Sequence, residues 1–181
     1  WRDGLTKACL GQKAASTATQ WVVFVTRQDF FQSRAKFLLN FEILNIKRNN
    51  LKDKQTIRIA HRKVYYGKLM PLLYARFFRL LGIMRKLIVL IMGIFRPVVR
   101  EVSETEIRTV VHKSCALAAQ TFMLAMAEKG YDTCPMEGFD SKMVKKLLHL
   151  PRGTGINMII SCGIRDGNKG IWGDRCRVPF E

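Results

Sequence analysis

The order of apolar and polar positions divides the chain into short strands and longer helices. "LTKACL" (5–10) reads as the end of a helix, which Gly11 breaks. "WVVFVT" (21–26) is β-branched and aromatic almost throughout, the pattern of a buried strand. "SRAKFLLNFEIL" (33–44) has helical spacing, with Phe37, Leu38, Phe41 and Leu44 on one face, and "KRNNLKDK" (47–54) reads as a polar connection. Ser103 and Glu106 have the spacing of a capping box, and the helix behind them is expected to run to about Lys129 and stop at Gly130. Its middle, "SCALAAQTFMLAMA" (114–127), is apolar or small on nearly every face, which predicts burial on all sides, as inside a subunit interface. "YDTCPMEGFD" (131–140) then reads as a loop between helices, with Cys134 a packing residue. A short helix over 139–151 is capped by Asp140 and ended before Pro151. "RGTG" (152–155) is a turn, "INMIISCGI" (156–164) a buried strand, and a Gly-rich basic tail closes the sequence.

A length of 181 residues suits one domain with a real core, residues 1–181, carrying an insertion over about 54–100. The apolar fraction of 48% excludes a disordered basic tail. Against 14 Asp and Glu stand 31 Lys and Arg, leaving +17, a surplus that points to anionic partners: nucleic acid, an anionic membrane face or phosphorylated ligands. Cys9, Cys115, Cys134, Cys162 and Cys176 form no CxxC pair, and His61, His112 and His149 are scattered. Free thiols in a reducing, cytoplasmic setting are the expectation, with no metal site. The chain starts at Trp1 and runs within a few residues into element-like sequence, the pattern expected if the beginning of a longer protein is absent.

Between Lys54 and Arg100 there are eleven Lys and Arg and not one acid. The same stretch holds the strongly apolar run 69–99, but Arg85 and Lys86 interrupt it and leave nine unbroken residues from Leu87 to Phe95. Spanning a bilayer takes about twenty. A helix lying on an anionic membrane or capping a hydrophobic cleft is one reading, and an ordinary core helix with basic flanks is the other.

The chain holds no GxSxG elbow, HExxH, Walker loop or complete GxGxxG. No nucleic-acid recognition motif is visible either. Arg175 and Arg177 alternate with Cys176, so in an extended chain both project to one side. Two guanidinium groups so placed suit a phosphate, although a solvated charged end has the same pattern.

Four segments together are more specific: "HKSCALAAQTFMLAMAEKGYDTCPMEGFD" (112–140), "LLHLPRG" (147–153), "INMIISCGIR" (156–165) and "GDRCRVPFE" (173–181). In order and spacing they resemble the nitroreductase family of flavin-dependent oxidoreductases. "GQKAASTATQWVVFVTRQD" (11–29) is similar to a family segment of the form N-Q-x-x-V-x-x-A-S followed by an apolar strand. On that alignment the family's Arg-rich first turn and early small-residue loop have no counterpart.

The resemblance implies an α+β fold, with a mixed or antiparallel sheet flanked by helices, and an obligate homodimer with FMN at the subunit interface. It implies reduction of the flavin by NAD(P)H and then, in ping-pong turnover, of a small-molecule electron acceptor such as a nitroaromatic or a quinone. Pro135, Met136, Glu137 and Gly138 would lie along the isoalloxazine, with backbone N–H groups near Glu137 and Gly138 towards its N5 and O4 side. Arg175 and Arg177 match the basic pair at the FMN phosphate. Where the common pattern has an Asn facing the ring this chain has Gly11, with Gln12 the nearest amide. No side chain serves as acid or nucleophile, and the cofactor carries the redox chemistry. The alternative is a basic membrane-surface or interaction protein on a degenerate scaffold that binds flavin weakly or not at all.

Overall fold

The computed structural model describes residues 1–77, 80–167, 176, 178 and 179. The chain forms two compact units: Trp1–Thr26 with Lys113–Glu181, and Arg27–His112. The apolar, basic 54–100 stretch lies wholly within the second.

The first unit is built on a three-stranded antiparallel sheet, β1 (Gln20–Thr26), β2 (Asp132–Met136) and β3 (Gly155–Gly163), in the order β1-β3-β2. β3 is central and covered on both faces, which is why "INMII" is apolar at every position but Asn157 rather than alternating. On one face Ile156 and Ile159 pack with Leu5, Ala8 and Cys9 of α1 (Arg2–Ala8), Ala15 of α2 (Lys13–Thr17) and Val144 of α8 (Ser141–Leu147). On the other, Met158 and Ile160 pack with Ala116, Ala119, Phe122 and Met123 of α7 (Glu104–Glu128). A slip in the β1–β3 register at Phe24/Val25 interrupts the pairing between the two groups.

The second unit holds α3 (Phe31–Asn49), α4 (Lys52–Val64), a π-helical turn at Tyr65–Leu69, α5 (Met70–Tyr74), α6 (Leu80–Phe95) and the first turns of α7. The last carbonyls of α5 have no partner within their own helix. Arg85 of α6 supplies one: its Nη1 lies 2.7, 2.8 and 3.0 Å from the carbonyls of Leu72, Leu73 and Ala75, and its Nε donates to Val102 at 2.9 Å. The guanidinium is thereby buried, at 5% exposure.

Several sequence expectations hold in detail. The Ser103–Glu106 box is reciprocal: the Ser103 N–H donates to Glu106 at 2.9 Å and the Glu106 N–H to the Ser103 hydroxyl at 3.2 Å. The helix they start stops at Glu128, just before Gly130 at φ +77°. Asp140 caps α8 by accepting from the N–H groups of Lys142 and Met143.

Others do not. The 47–54 connection shrinks to Asn50 and Leu51, because α3 continues to Asn49 and α4 starts at Lys52. Phe37, Leu38, Phe41 and Leu44 share a face of α3, but that face is exposed, and the helix buries Ala35 and Ile46 instead. In α7, Leu117 and Leu124 are exposed within this single chain, where the apolar pattern predicts burial on all sides. "YDTCPMEGFD" is not loop throughout: its first half pairs with β3 as the edge strand β2, with Asp132 opposite Gly163 and Met136 opposite Ile159.

Candidate functional site

The run that begins as β2 leaves the sheet at Met136, whose side chain is buried in the core between α1, α8 and β3. What Met136 offers a ligand is therefore backbone. Pro135, Glu137 and Gly138 are exposed. Among the described residues, the N–H groups of Glu137 and Gly138 take part in none of the turn, loop or cap hydrogen bonds that fix their neighbours. Phe139 by contrast donates its N–H to the Glu137 carbonyl at 3.1 Å, and Asp140 donates to Ala8 at 2.8 Å.

The other wall comes from the turn between α1 and α2. Leu10 (φ +57°) and Gly11 (φ +72°) are both left-handed and end α1 abruptly. Gln12 follows, and its side-chain amide donates to the Gly138 carbonyl at 2.6 Å and to the Cys9 carbonyl at 3.1 Å. This amide, with the Asp140–Ala8 bond, ties the 137–140 loop to the end of α1. A Cβ at Gly138 would stand 3.3 Å from the Gln12 amide nitrogen, whereas a Cβ at Gly11 would meet nothing within 4 Å. The left-handed backbone at Gly11 is the kind that Gly and Asn tolerate best.

Around this cradle, Arg165 pairs with Asp132 at 2.8 Å and holds its carboxyl below the usual range. Cys134 is exposed on the edge strand rather than packed in the core, though partial desolvation raises its thiol pKa. Cys9, Cys115, Cys134 and Cys162 form no disulfide among the described residues. Among the described residues no group of His, Cys, Asp and Glu is placed to hold a metal ion.

Of the residues singled out from the sequence, Gln12, Pro135, Met136, Glu137 and Gly138 are brought together. Arg175 and Arg177 lie outside the described residues. The part played by Ala8 and Cys9, whose carbonyls hold the loop and its amide clamp, carries no sequence signal, because any residue has a carbonyl.

In the second unit a separate cavity of about 230 Å³ is lined mainly by apolar side chains of α3 and α5, with Arg34 and Gln28 among them. The Gln28 amide nitrogen is buried there without a hydrogen-bond partner.

A small antiparallel sheet covered by helices on both faces, carrying an exposed glycine loop clamped by an amide, is the kind of scaffold the nitroreductase resemblance leads one to expect. The sequence profile described as the Nitroreductase family matches residues 3–164, and the chain belongs to that family. A curated relative, "Putative NAD(P)H nitroreductase MhqN" of Bacillus subtilis (strain 168), is 43% identical over 51 residues, which are 28% of this chain and 25% of the relative. A second, "Protein DrgA" of Synechocystis sp., is 40% identical over 58 residues, 32% of this chain and 28% of the relative. The chain thus spans only about a quarter of the length of the curated relatives it matches. Among solved structures, the "putative nitroreductase ydfN" of Bacillus subtilis superposes with a TM-score of 0.61 at 19% identity, over 99% of this chain and 68% of that one. The "putative NAD(P)H:FMN oxidoreductase" of Staphylococcus epidermidis gives 0.60 at 14% identity, over 98% and 66%. At such identities the likeness is one of fold.

Proposed function

We propose that this chain is the FMN-binding part of an oxidoreductase that takes electrons from NAD(P)H and passes them to a small electrophilic acceptor, of the nitroaromatic or quinone class. The observation that carries the reading is the clamp of Gln12 on the Gly138 carbonyl, which presents an exposed glycine loop with N–H groups unspent by the local turn. The residues present fit a flat, polar-edged ring: Gly138 keeps a side chain out of the cradle, and the space over Gly11 is open. The names of a relative and of a solved structure, an NAD(P)H nitroreductase and an NAD(P)H:FMN oxidoreductase, point the same way.

FMN, when bound, supplies the hydride and electron chemistry. The chain's own work is then to bind and orient. Gln12 fixes the direction of the Gly138 peptide, and the Glu137 and Gly138 N–H groups would serve as donors to the polar edge of the ring. Arg175 and Arg177 would hold the phosphate through charge-assisted hydrogen bonds. Leu117 and Leu124, exposed on α7 at 70% and 62%, form apolar surface that a second copy of the chain would cover, in keeping with a homodimer.

An absorbance spectrum of the purified protein tests the reading, with flavin bands expected directly or after incubation with FMN. Protein that stays colourless and apo after incubation sinks it. An FMN affinity unchanged by Arg175→Ala plus Arg177→Ala removes the phosphate assignment.

A further inference from the structure

The helix α6 is turned inside out. One of its two cations, Arg85, does not face solvent as it would on an ordinary amphipathic helix, and the other, Lys86, is partly exposed but paired. Arg85 is buried against the carbonyls at the end of α5, and Lys86 is tied to the Arg100 carbonyl at 2.8 Å and the Glu106 carboxylate at 2.7 Å. What α6 presents outward is nine large apolar side chains, among them Ile83, Leu87, Leu90, Ile91, Ile94 and Phe95, each about half exposed or more. At about 100° per residue these nine fall within roughly 160° of arc, and no polar residue lies among them. A contiguous exposed apolar face of this kind marks an interaction site more often than a scatter of single exposed residues does.

Charge says what covers it. Residues 27–112 carry eighteen Lys and Arg against six Asp and Glu, so this unit holds a surplus of twelve of the chain's seventeen positive charges. From Lys54 to Arg100 there is no acid at all. A second copy of the same unit would bring like charge against like charge, whereas an anionic surface would be attracted. With 16 residues, α6 is about 24 Å long, short of the roughly 30 Å hydrocarbon core, so it would lie along a membrane rather than cross it.

We propose that the outward face of α6 docks on an anionic lipid surface, its apolar side chains entering the headgroup–acyl boundary while the surrounding basic unit is held by the negative headgroups. This goes beyond the oxidoreductase reading and does not depend on flavin being bound.

Co-sedimentation of the full chain with vesicles tests it. Vesicles containing about a third phosphatidylglycerol are expected to bind at least tenfold more protein than pure phosphatidylcholine, and 0.5 M salt is expected to weaken that binding severalfold. Leu87→Gln plus Ile91→Gln is expected to reduce binding by more than tenfold, with circular dichroism and Tm unchanged because both side chains are already exposed. No binding, equal binding to the two vesicle types, or undiminished binding by the double variant would overturn the proposal. So would sedimentation analysis showing a dimer that the double variant dissociates, since the face would then belong to a second copy. The readout is vesicle binding, so its failure leaves the flavin reading standing, and loss of flavin binding leaves this proposal standing.

Discussion

The Gln12 side-chain amide donates to the carbonyl of Gly138, 126 positions away in the chain, at 2.6 Å. Its second bond, to the Cys9 carbonyl at 3.1 Å, anchors the amide to the end of α1. One side chain therefore sets the orientation of the glycine peptide that the candidate flavin site depends on. Gln12→Leu keeps the bulk and removes both donors. A loss of about 1 kcal/mol in stability is expected from the missing hydrogen bonds. If the peptide's direction matters for FMN, affinity should fall by about fivefold or more in a fluorescence titration.

Gly138→Ala separates fold from site. The added methyl would meet only the Gln12 amide nitrogen, at 3.3 Å, which must give by a few tenths of an ångström, so the melting temperature should fall by no more than in Gln12→Leu. FMN affinity should drop, because the methyl stands where backbone has to approach a flat ring. Equal losses of stability and affinity would show that the loop is merely structural.

Gly11→Asn tests the position where the family resemblance expects an amide. The backbone there is left-handed, which Asn tolerates, and nothing lies within 4 Å of the new Cβ. The variant should fold with less than about 1 kcal/mol lost and bind FMN more tightly than the parent chain.

Glu106 makes stability depend on pH. The Lys86 ammonium, and then the hydrogen bonds of Ser103, hold its carboxyl down from 4.5 to about 2. A depressed carboxyl stabilises the folded chain above its unfolded pKa, and that contribution fades as pH falls from about 5 towards 2. Thermal melts across this window should show a decline that Glu106→Gln makes shallower, while starting from a lower melting temperature at pH 7.

Arg85 answers four carbonyls at once. Arg85→Met should destabilise the protein by about 3 kcal/mol, since buried acceptors lose a charged donor. Arg85→Lys should recover little, because one ammonium lacks the fork that reaches both Val102 and the end of α5. Chemical denaturation of the two variants checks this.

Features that depend on neighbours in the chain were legible from the sequence. Ser103 and Glu106 are three residues apart, and Asp140 caps the helix that starts at the next residue. That 156–164 is a buried strand could be read from its nearly unbroken apolar run for the same reason. The site was legible only through the resemblance, since Gln12 and the Gly138 loop lie at opposite ends of the chain. Nothing in the pattern of "YDTCPMEGFD" announced that half of it pairs with β3, because an edge strand carrying a proline has weak strand propensity of its own.

By itself, the sequence determined where α7 and α8 start, where α7 stops, that 21–26 and 156–164 are strands, and that the chain is basic around an apolar middle. Periodicity tells which residues share a face; it does not tell whether anything covers that face. Only the tertiary structure decided that Phe37 and Phe41 on α3 stay exposed. It also decided that Arg85 turns inward while its apolar neighbours turn out, and that an amide from the amino-terminal turn closes on Gly138. Burial and long-range hydrogen bonds belong to pairs of elements, and a pair exists only once the chain has folded.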